Sequence, residues 1–193
     1  MHRVAIVAAI LIAATVLVSA AKPLDLGTDL HGQPVSELAG RGVHVVVLIF
    51  AASDCPISNR YIPEIAQLTK EFTPQGVRFW WVYPNGGDSG AIVEQHIRDF
   101  SITGESLLDA RQALVSMAHA SVTPESAVFA VERGALVEVY HGRIDDRYIS
   151  LGQERPQAQH HDLEMAISAA VAGKPVPQPG GPPVGCSIVF LQK

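Results

Sequence analysis

Two hydrophobic periods alternate along this chain. Val43 to Phe50 is apolar at every position except His44, the pattern of a central strand covered on both faces. Directly after it, Ile57, Tyr61, Ile65, Leu68 and Phe72 recur at spacings of four, four, three and four, which predicts a helix over residues 56–72. Pro74 and Gly76 stop that helix. Val77 to Tyr83 is rich in β-branched and aromatic residues and predicts a second strand, closed by the loop Pro84-Asn85-Gly86-Gly87. Ile92, Val93, His96, Ile97 and Phe100 give a second helical face, Leu107 and Leu108 a short strand, and Ala110, Ala113, Leu114, Met117 and Ala118 a third helix. Ser126 to Val131 and Ala135 to His141 flank the turn Glu132-Arg133-Gly134 as a β-hairpin. Leu163, Ala166, Ile167, Ala170 and Val171 predict a last helix, stopped by Gly173 and Pro175. Residues 24–42 read as a short irregular hairpin leading into this core. The order β-α-β-α-(β)-α-β-β-α implies an α/β domain with a mixed central sheet between helical layers.

The two ends differ from the middle. Arg3 followed by the apolar run Val4 to Val18 and the small residues Val18-Ser19-Ala20 predicts a secretory signal peptide over residues 1–21, too short a run for a membrane span. An uncleaved anchor is the alternative. The domain then runs over residues 22–173, with no membrane span after cleavage, and the expected location is periplasmic or secreted. Residues 174–193 form a Pro/Gly-rich tail, expected to be extended and outside the core; it carries Cys186 and the brief apolar run Ile188 to Leu191.

Charge narrows the partners. The formal net charge is -5, and no basic cluster is present, which argues against nucleic acid or an anionic membrane surface. Neither a Cys-x-x-Cys nor a His-x-x-x-His spacing occurs, so no zinc site is readable and no cofactor is expected. The neighbours His160 and His161 do not share one helix face.

The chemistry concentrates at Cys55. It falls at the junction of the first strand and the first helix, where unpaired N–H groups and the helix dipole favour a thiolate, and Pro56 follows at the first helical position. Asp54 beside it opposes the dipole and is expected to push the thiol pKa up. Arg60, one helical turn on, is a candidate thiolate partner, with a solvated surface arginine as the plainer alternative. Asn59 and Tyr61 are candidates for the rim. Arg143, Asp145 and Asp146 read as a surface salt-bridge network.

This order, with a cysteine after the first core strand, resembles the thioredoxin fold. Phe50 to Ser58 looks like the active-site segment with Cys55 at the nucleophile position, and Thr123-Pro124-Glu125 looks like the cis-proline loop that faces it. The N-terminal hairpin and the insert around 84–108 look like the redoxin branch, the alkyl hydroperoxide reductase and thiol-specific antioxidant group. Asp54-Cys55-Pro56-Ile57-Ser58, Gly142-Arg143-Ile144-Asp145-Asp146 and Gly185-Cys186-Ser187-Ile188 are together similar to exported bacterial redoxin-domain proteins. The resemblance implies an exported thiol-disulfide oxidoreductase. Its site would be Cys55, Thr123 and Pro124, with Cys186 as a resolving or stapling thiol. Its partners would be protein or small-molecule thiols and disulfides, with an external thiol reductant.

Departures from the family pattern limit the reaction. Ser58 stands where a dithiol enzyme has its second cysteine, and Leu48 and Ala52 stand where a peroxiredoxin has its proline and hydroxyl residue. Ile49 takes the place of the acid often buried under a thioredoxin site. A peroxidase is therefore disfavoured. Cys55 and Cys186 admit three states: a redox pair, a static disulfide, or two independent thiols. A non-catalytic binding module, or a copper site built from Cys55 and a histidine such as His141, is the alternative function.

Overall fold

The computed structural model describes residues 25–191; the signal-peptide expectation for residues 1–21 lies outside them. In chain order the elements are β1 (Val45–Phe50), α1 (Pro56–Phe72), β2 (Val77–Tyr83), α2 (Gly90–Phe100), β3 (Glu105–Leu108), α3 (Ala113–Met117), β4 (Val122–Thr123), β5 (Glu125–Glu132), β6 (Ala135–Gly142), β7 (Tyr148–Ser150), β8 (Gln153–Glu154), α4 (Asp162–Val171) and β9 (Cys186–Ser187). A five-stranded sheet has the order β3-β2-β1-β5-β6. β1 pairs parallel with β2 and β2 with β3, whereas β5 runs antiparallel to both β1 and β6. The mixed sheet expected from the strand order is the one observed.

The period of two divides β1 between two cores. Val45, Val47 and Ile49 face α1, α2 and α4; Val46, Leu48 and Phe50 face α3 and the N-terminal segment. β2 divides in the same way, with Phe79, Trp81 and Tyr83 on the first side and Trp80 and Val82 on the second. All six residues of β1 are buried, which is why its sequence reads as apolar rather than alternating.

The periodic elements match their sequence signals closely, and α3 does not. It spans only Ala113–Met117, because Asp109 turns the chain before it and accepts hydrogen bonds from the N–H groups of Ala113 (2.8 Å) and Val115 (2.9 Å). Arg143, Asp145 and Asp146 are not the surface network that clustered charge implies. Asp145 and Asp146 are buried, and Arg143 bonds the buried Asp162 at 2.7 Å. Asp145 accepts from the Tyr61 hydroxyl and from the N–H of Arg147, and Asp146 accepts from the N–H groups of Gln159 and His160. The tail also departs from expectation. Gly180 N–H donates to Asp162 (3.0 Å), Pro179 packs on Gly142, and Ile188 is buried among the side chains of the second core.

Candidate functional site

Cys55 is the residue before the first turn of α1. Its carbonyl accepts the first helical hydrogen bond from Asn59 N–H at 3.1 Å, its own N–H turns back to Ala52 O at 3.1 Å, and Pro56 follows without needing a donor. The loop before it is anchored to the rest of the domain. Asp88 accepts from the Ser53 N–H (3.2 Å) and hydroxyl (2.5 Å), while the Asn59 side-chain amide donates to Ser53 O at 3.3 Å. Asn59 Oδ1 in turn faces His96 Nε2 at 2.8 Å, and His96 Nδ1 faces the Tyr83 hydroxyl at 3.0 Å. Asn59 Oδ1 can only accept, so His96 Nε2 carries the proton and Nδ1 takes the Tyr83 hydroxyl. Burial favours the same neutral form by holding the His96 pKa low. Burial also pushes the Asp88 carboxyl up, partly offset by its bonds from Ser53.

The facing wall is the loop carrying Thr123 and Pro124, whose peptide bond is cis. Cys55 Sγ lies 3.0 Å from the Thr123 carbonyl oxygen. Glu125, buried just beyond the proline, holds this loop by accepting from Ser121 N–H (2.8 Å), the Ser121 hydroxyl (3.2 Å) and Val122 N–H (3.2 Å).

Cys186 completes the site. In the β4–β9 pair it stands opposite Thr123, with Ser187 opposite Val122. Ile188 N–H donates to Ser121 O at 3.0 Å and extends the pairing by one residue. Both cysteines are free, and Cys55 Sγ lies against the carbonyl of Thr123, the residue that Cys186 faces across the β4–β9 pair. Beyond the pair, Gln112 clasps the tail, donating to Val189 O (2.7 Å) and accepting from Leu191 N–H (3.0 Å), while Asn85 accepts from Val189 N–H (3.1 Å). Beneath the tail, Cys55 retains 1 % exposure, less than its place at a helix mouth suggests.

The two thiols are electrostatically unequal. Burial pushes Cys55 up, but hydrogen bonds from the Cys186 thiol and from the Ser58 backbone and hydroxyl more than offset it, so its pKa lies below the ordinary cysteine value. Cys186 is pushed up to about 12 by burial, by its bond to Cys55, and by the charges of Cys55 and Asp54. The expected upward push of Asp54 thus falls on Cys186, and Cys55 is the more acidic thiol. As a thiol Cys55 donates to Thr123 O. Ser58 Oγ is buried without a hydrogen-bond partner. Ser58 reads from sequence only as a missing cysteine, but its hydroxyl is among the groups that lower the Cys55 pKa.

The remaining candidates lie elsewhere. Arg60 is exposed and pairs with Glu154 at 3.3 Å. Tyr61 is buried against Asp145. His141 is bound to Glu138 at 2.9 Å and rests against the His119 ring. One group of metal-ligand type occurs among the described residues: atoms of Glu64, Asp145 and His161 lie within 4.8 Å of one another. Burial and the Asp145 charge raise the Glu64 pKa, and His161 stands 3.6 Å from Glu64 as its ion-pair partner. An open cleft of about 620 Å³, lined in part by Asp54, Asn85, Asp88 and Val189, adjoins the cysteine loop without including either thiol. No helix among the described residues is long and apolar enough to cross a membrane.

A mixed sheet with helices on both faces, a cysteine at the mouth of the first helix and a proline loop against it together define a thioredoxin-like fold. The chain belongs to the AhpC/TSA family, whose model matches residues 19–140. Its architecture is therefore that of a thioredoxin-like redoxin. Among solved structures, an uncharacterized conserved protein from Geobacillus kaustophilus is similar with a TM-score of 0.70 and 24% identity, over 89% of this chain and 90% of that one. A hypothetical protein from Sinorhizobium meliloti 1021 is similar with a TM-score of 0.70 and 21% identity, over 86% of this chain and 90% of that one. A secreted disulfide oxidoreductase from Mycobacterium tuberculosis aligns with a TM-score of 0.49 and 17% identity, over 76% of this chain and 93% of that one. No curated protein matches the chain.

Proposed function

We propose that this protein is a thiol-disulfide oxidoreductase in which Cys55 is the nucleophile and Cys186 the resolving thiol. The observation that carries the reading is the pairing of β9 with β4, which sets Cys186 opposite Thr123, whose carbonyl oxygen lies 3.0 Å from Cys55 Sγ. Cys55 thiolate attacks one sulfur of a substrate disulfide, forming a mixed disulfide and releasing the first substrate thiolate. That step removes the negative charge beside Cys186, and with it one of the causes holding the Cys186 proton in place. Cys186, giving up its proton, then attacks Cys55 Sγ, forming the Cys55–Cys186 disulfide and releasing the second substrate sulfur as a thiolate that takes up a proton. An external thiol reductant, by two exchanges, returns both cysteines to the reduced state. Thr123 and Pro124 form the wall against which the reacting sulfurs align. The leader-like residues 1–21 support a periplasmic or secreted site of action.

The peroxidase variant has less support, because Leu48 and Ala52 are buried apolar residues where a hydroxyl partner would be needed. The enclosure of Cys55 is the observation that favours the second reading, a binding module in which the thiols are ligands or relics.

Assay of disulfide exchange with a peptide disulfide separates these. Cys55→Ser is expected to abolish turnover while leaving the fold intact. Cys186→Ser is expected to accumulate a Cys55-linked mixed disulfide, visible as an adduct in intact mass. Unchanged turnover in Cys55→Ser would rule the proposal out.

A further inference from the structure

The tail does to the Ser121–Thr123 edge what an extended peptide would do. It pairs antiparallel with β4, presents a cysteine opposite Thr123, and gives Ile188 N–H to Ser121 O. Burial alternates along it: Cys186 is half-buried toward Cys55, Ser187 is exposed, and Ile188 is 2 % exposed. That is the period of a strand read on one face. The position before the cysteine is sterically restricted as well. A Cβ built on Gly185 would run into the carbonyl oxygen of Thr123, a backbone atom held by the loop that Glu125 fixes. The edge therefore sets three features of a bound segment: no side chain before the cysteine, any side chain after it, and an aliphatic side chain one residue further on.

We propose that the Ser121–Thr123 edge is a sequence-selective binding site for extended cysteine-containing peptides of the form Gly-Cys-x-aliphatic, and that residues 185–188 are its resident intramolecular ligand. The proposal rests on the redox reading of Cys55 and adds to it the substrate class. A protein substrate with such a segment displaces the tail, places its sulfur where the Cys186 sulfur lies, and yields the edge again when Cys186 returns to resolve the mixed disulfide. In the exchange, Cys55 thiolate bonds to the peptide cysteine sulfur and the electron pair of the broken S–S bond leaves on the other thiol.

The test uses the full chain with the tail displaced. Gly185→Val forces the tail off Thr123, and Cys186→Ser in the same chain leaves Cys55 as the reacting thiol. Ile188→Asp with Cys186→Ser is the second displaced form, in case the first does not fold. The probes are the peptides Val-Gly-Cys-Ser-Ile-Val, Val-Val-Cys-Ser-Ile-Val and Val-Gly-Cys-Ser-Asp-Val, each with thionitrobenzoate on its cysteine as a disulfide. Release of the coloured thionitrobenzoate reports attack by Cys55 on the peptide sulfur. The first peptide is expected to react at least tenfold faster than either of the others, and all three faster than with Cys186→Ser alone, whose tail remains docked. Equal rates for the three peptides, with brisk reaction of the small disulfide dithiobis(nitrobenzoate), overturn the selectivity and leave the redox reading standing. Failure of Cys55 to react with any of these disulfides once the tail is displaced overturns both.

Discussion

Replacing Ile188 with alanine probes how tightly the tail shields Cys55. In a Cys186→Ser background only Cys55 can be alkylated, and it has to be uncovered first, because it retains 1 % exposure. Among the described residues, Ile188 is the one tail side chain beyond Cys186 that enters the core; Val189, Phe190 and Leu191 are all exposed. Truncating a buried isoleucine to alanine costs roughly 2–5 kcal/mol, and a site at the edge of the core, free to collapse, belongs near the lower end, about 2–3 kcal/mol. The backbone bonds from Ile188 to Ser121 and from the tail to Gln112 and Asn85 survive the change. That loss falls on the docked form alone. At about 1.4 kcal/mol per factor of ten it raises the open fraction by roughly 30- to 150-fold. Iodoacetamide labelling followed by intact mass is expected to speed up by the same factor. The opening is local, so the labelling rate should depend only weakly on urea at concentrations well below the unfolding midpoint. A change of less than threefold, in a protein whose unfolding midpoint barely moves, would refute the idea that the tail guards the thiol. A strong urea dependence would show that Cys55 is reached only through global unfolding, and would refute it equally.

Further tests follow from the site and its supports. Ser58→Ala removes a hydroxyl that lowers the Cys55 pKa, so the pH midpoint of Cys55 alkylation, below that of an ordinary cysteine in the parent, is expected to move upward; an unmoved midpoint would mean the hydroxyl does not serve the sulfur. Glu125→Ala leaves the N–H groups of Ser121 and Val122 without their acceptor, a loss of about 1–3 kcal/mol for each one left buried. Denaturant unfolding should show that loss, and exchange activity should fall with it. Asp109 is fully buried, and burial raises its pKa to about 6. A carboxyl raised in the folded state adds stability that is complete below its unfolded pKa and is lost as pH rises through about 6. The difference in unfolding midpoint between the parent and Asp109→Asn, followed from pH 4 to 7, should therefore move against the parent as pH rises (about pH 4 to 6 being the window); a constant difference would show that Asp109 does not titrate there.

Local pattern was enough for the frame and not for the long-range contacts. Pro56 to Phe72 and Val77 to Tyr83 are read correctly to the residue because strand and helix periods are properties of neighbouring positions. Cys55 was legible for the same reason, since a strand end, a proline and a helical stripe all lie within a few residues of it. The misreadings involve partners far away in sequence. Asp145 and Asp146 look like surface charge until Tyr61 and the backbone of Gln159 and His160 are brought to them. The tail looks like a linker because its composition lacks core residues, yet it docks mainly through main-chain bonds, which composition does not record. Ser58 and Glu125 carried no signal of their own: each matters only because of what it touches.

The bond from Gly180 N–H to Asp162, itself gripped by Arg143, has a consequence for rate. It fastens the chain six residues before Cys186, so the free leash is the five residues 181–185. A leash that short keeps the departing sulfur at millimolar or higher local concentration around its partner. A dilute outside thiol competes poorly against that, which makes closure of the internal bond the default fate of any adduct formed on the first cysteine.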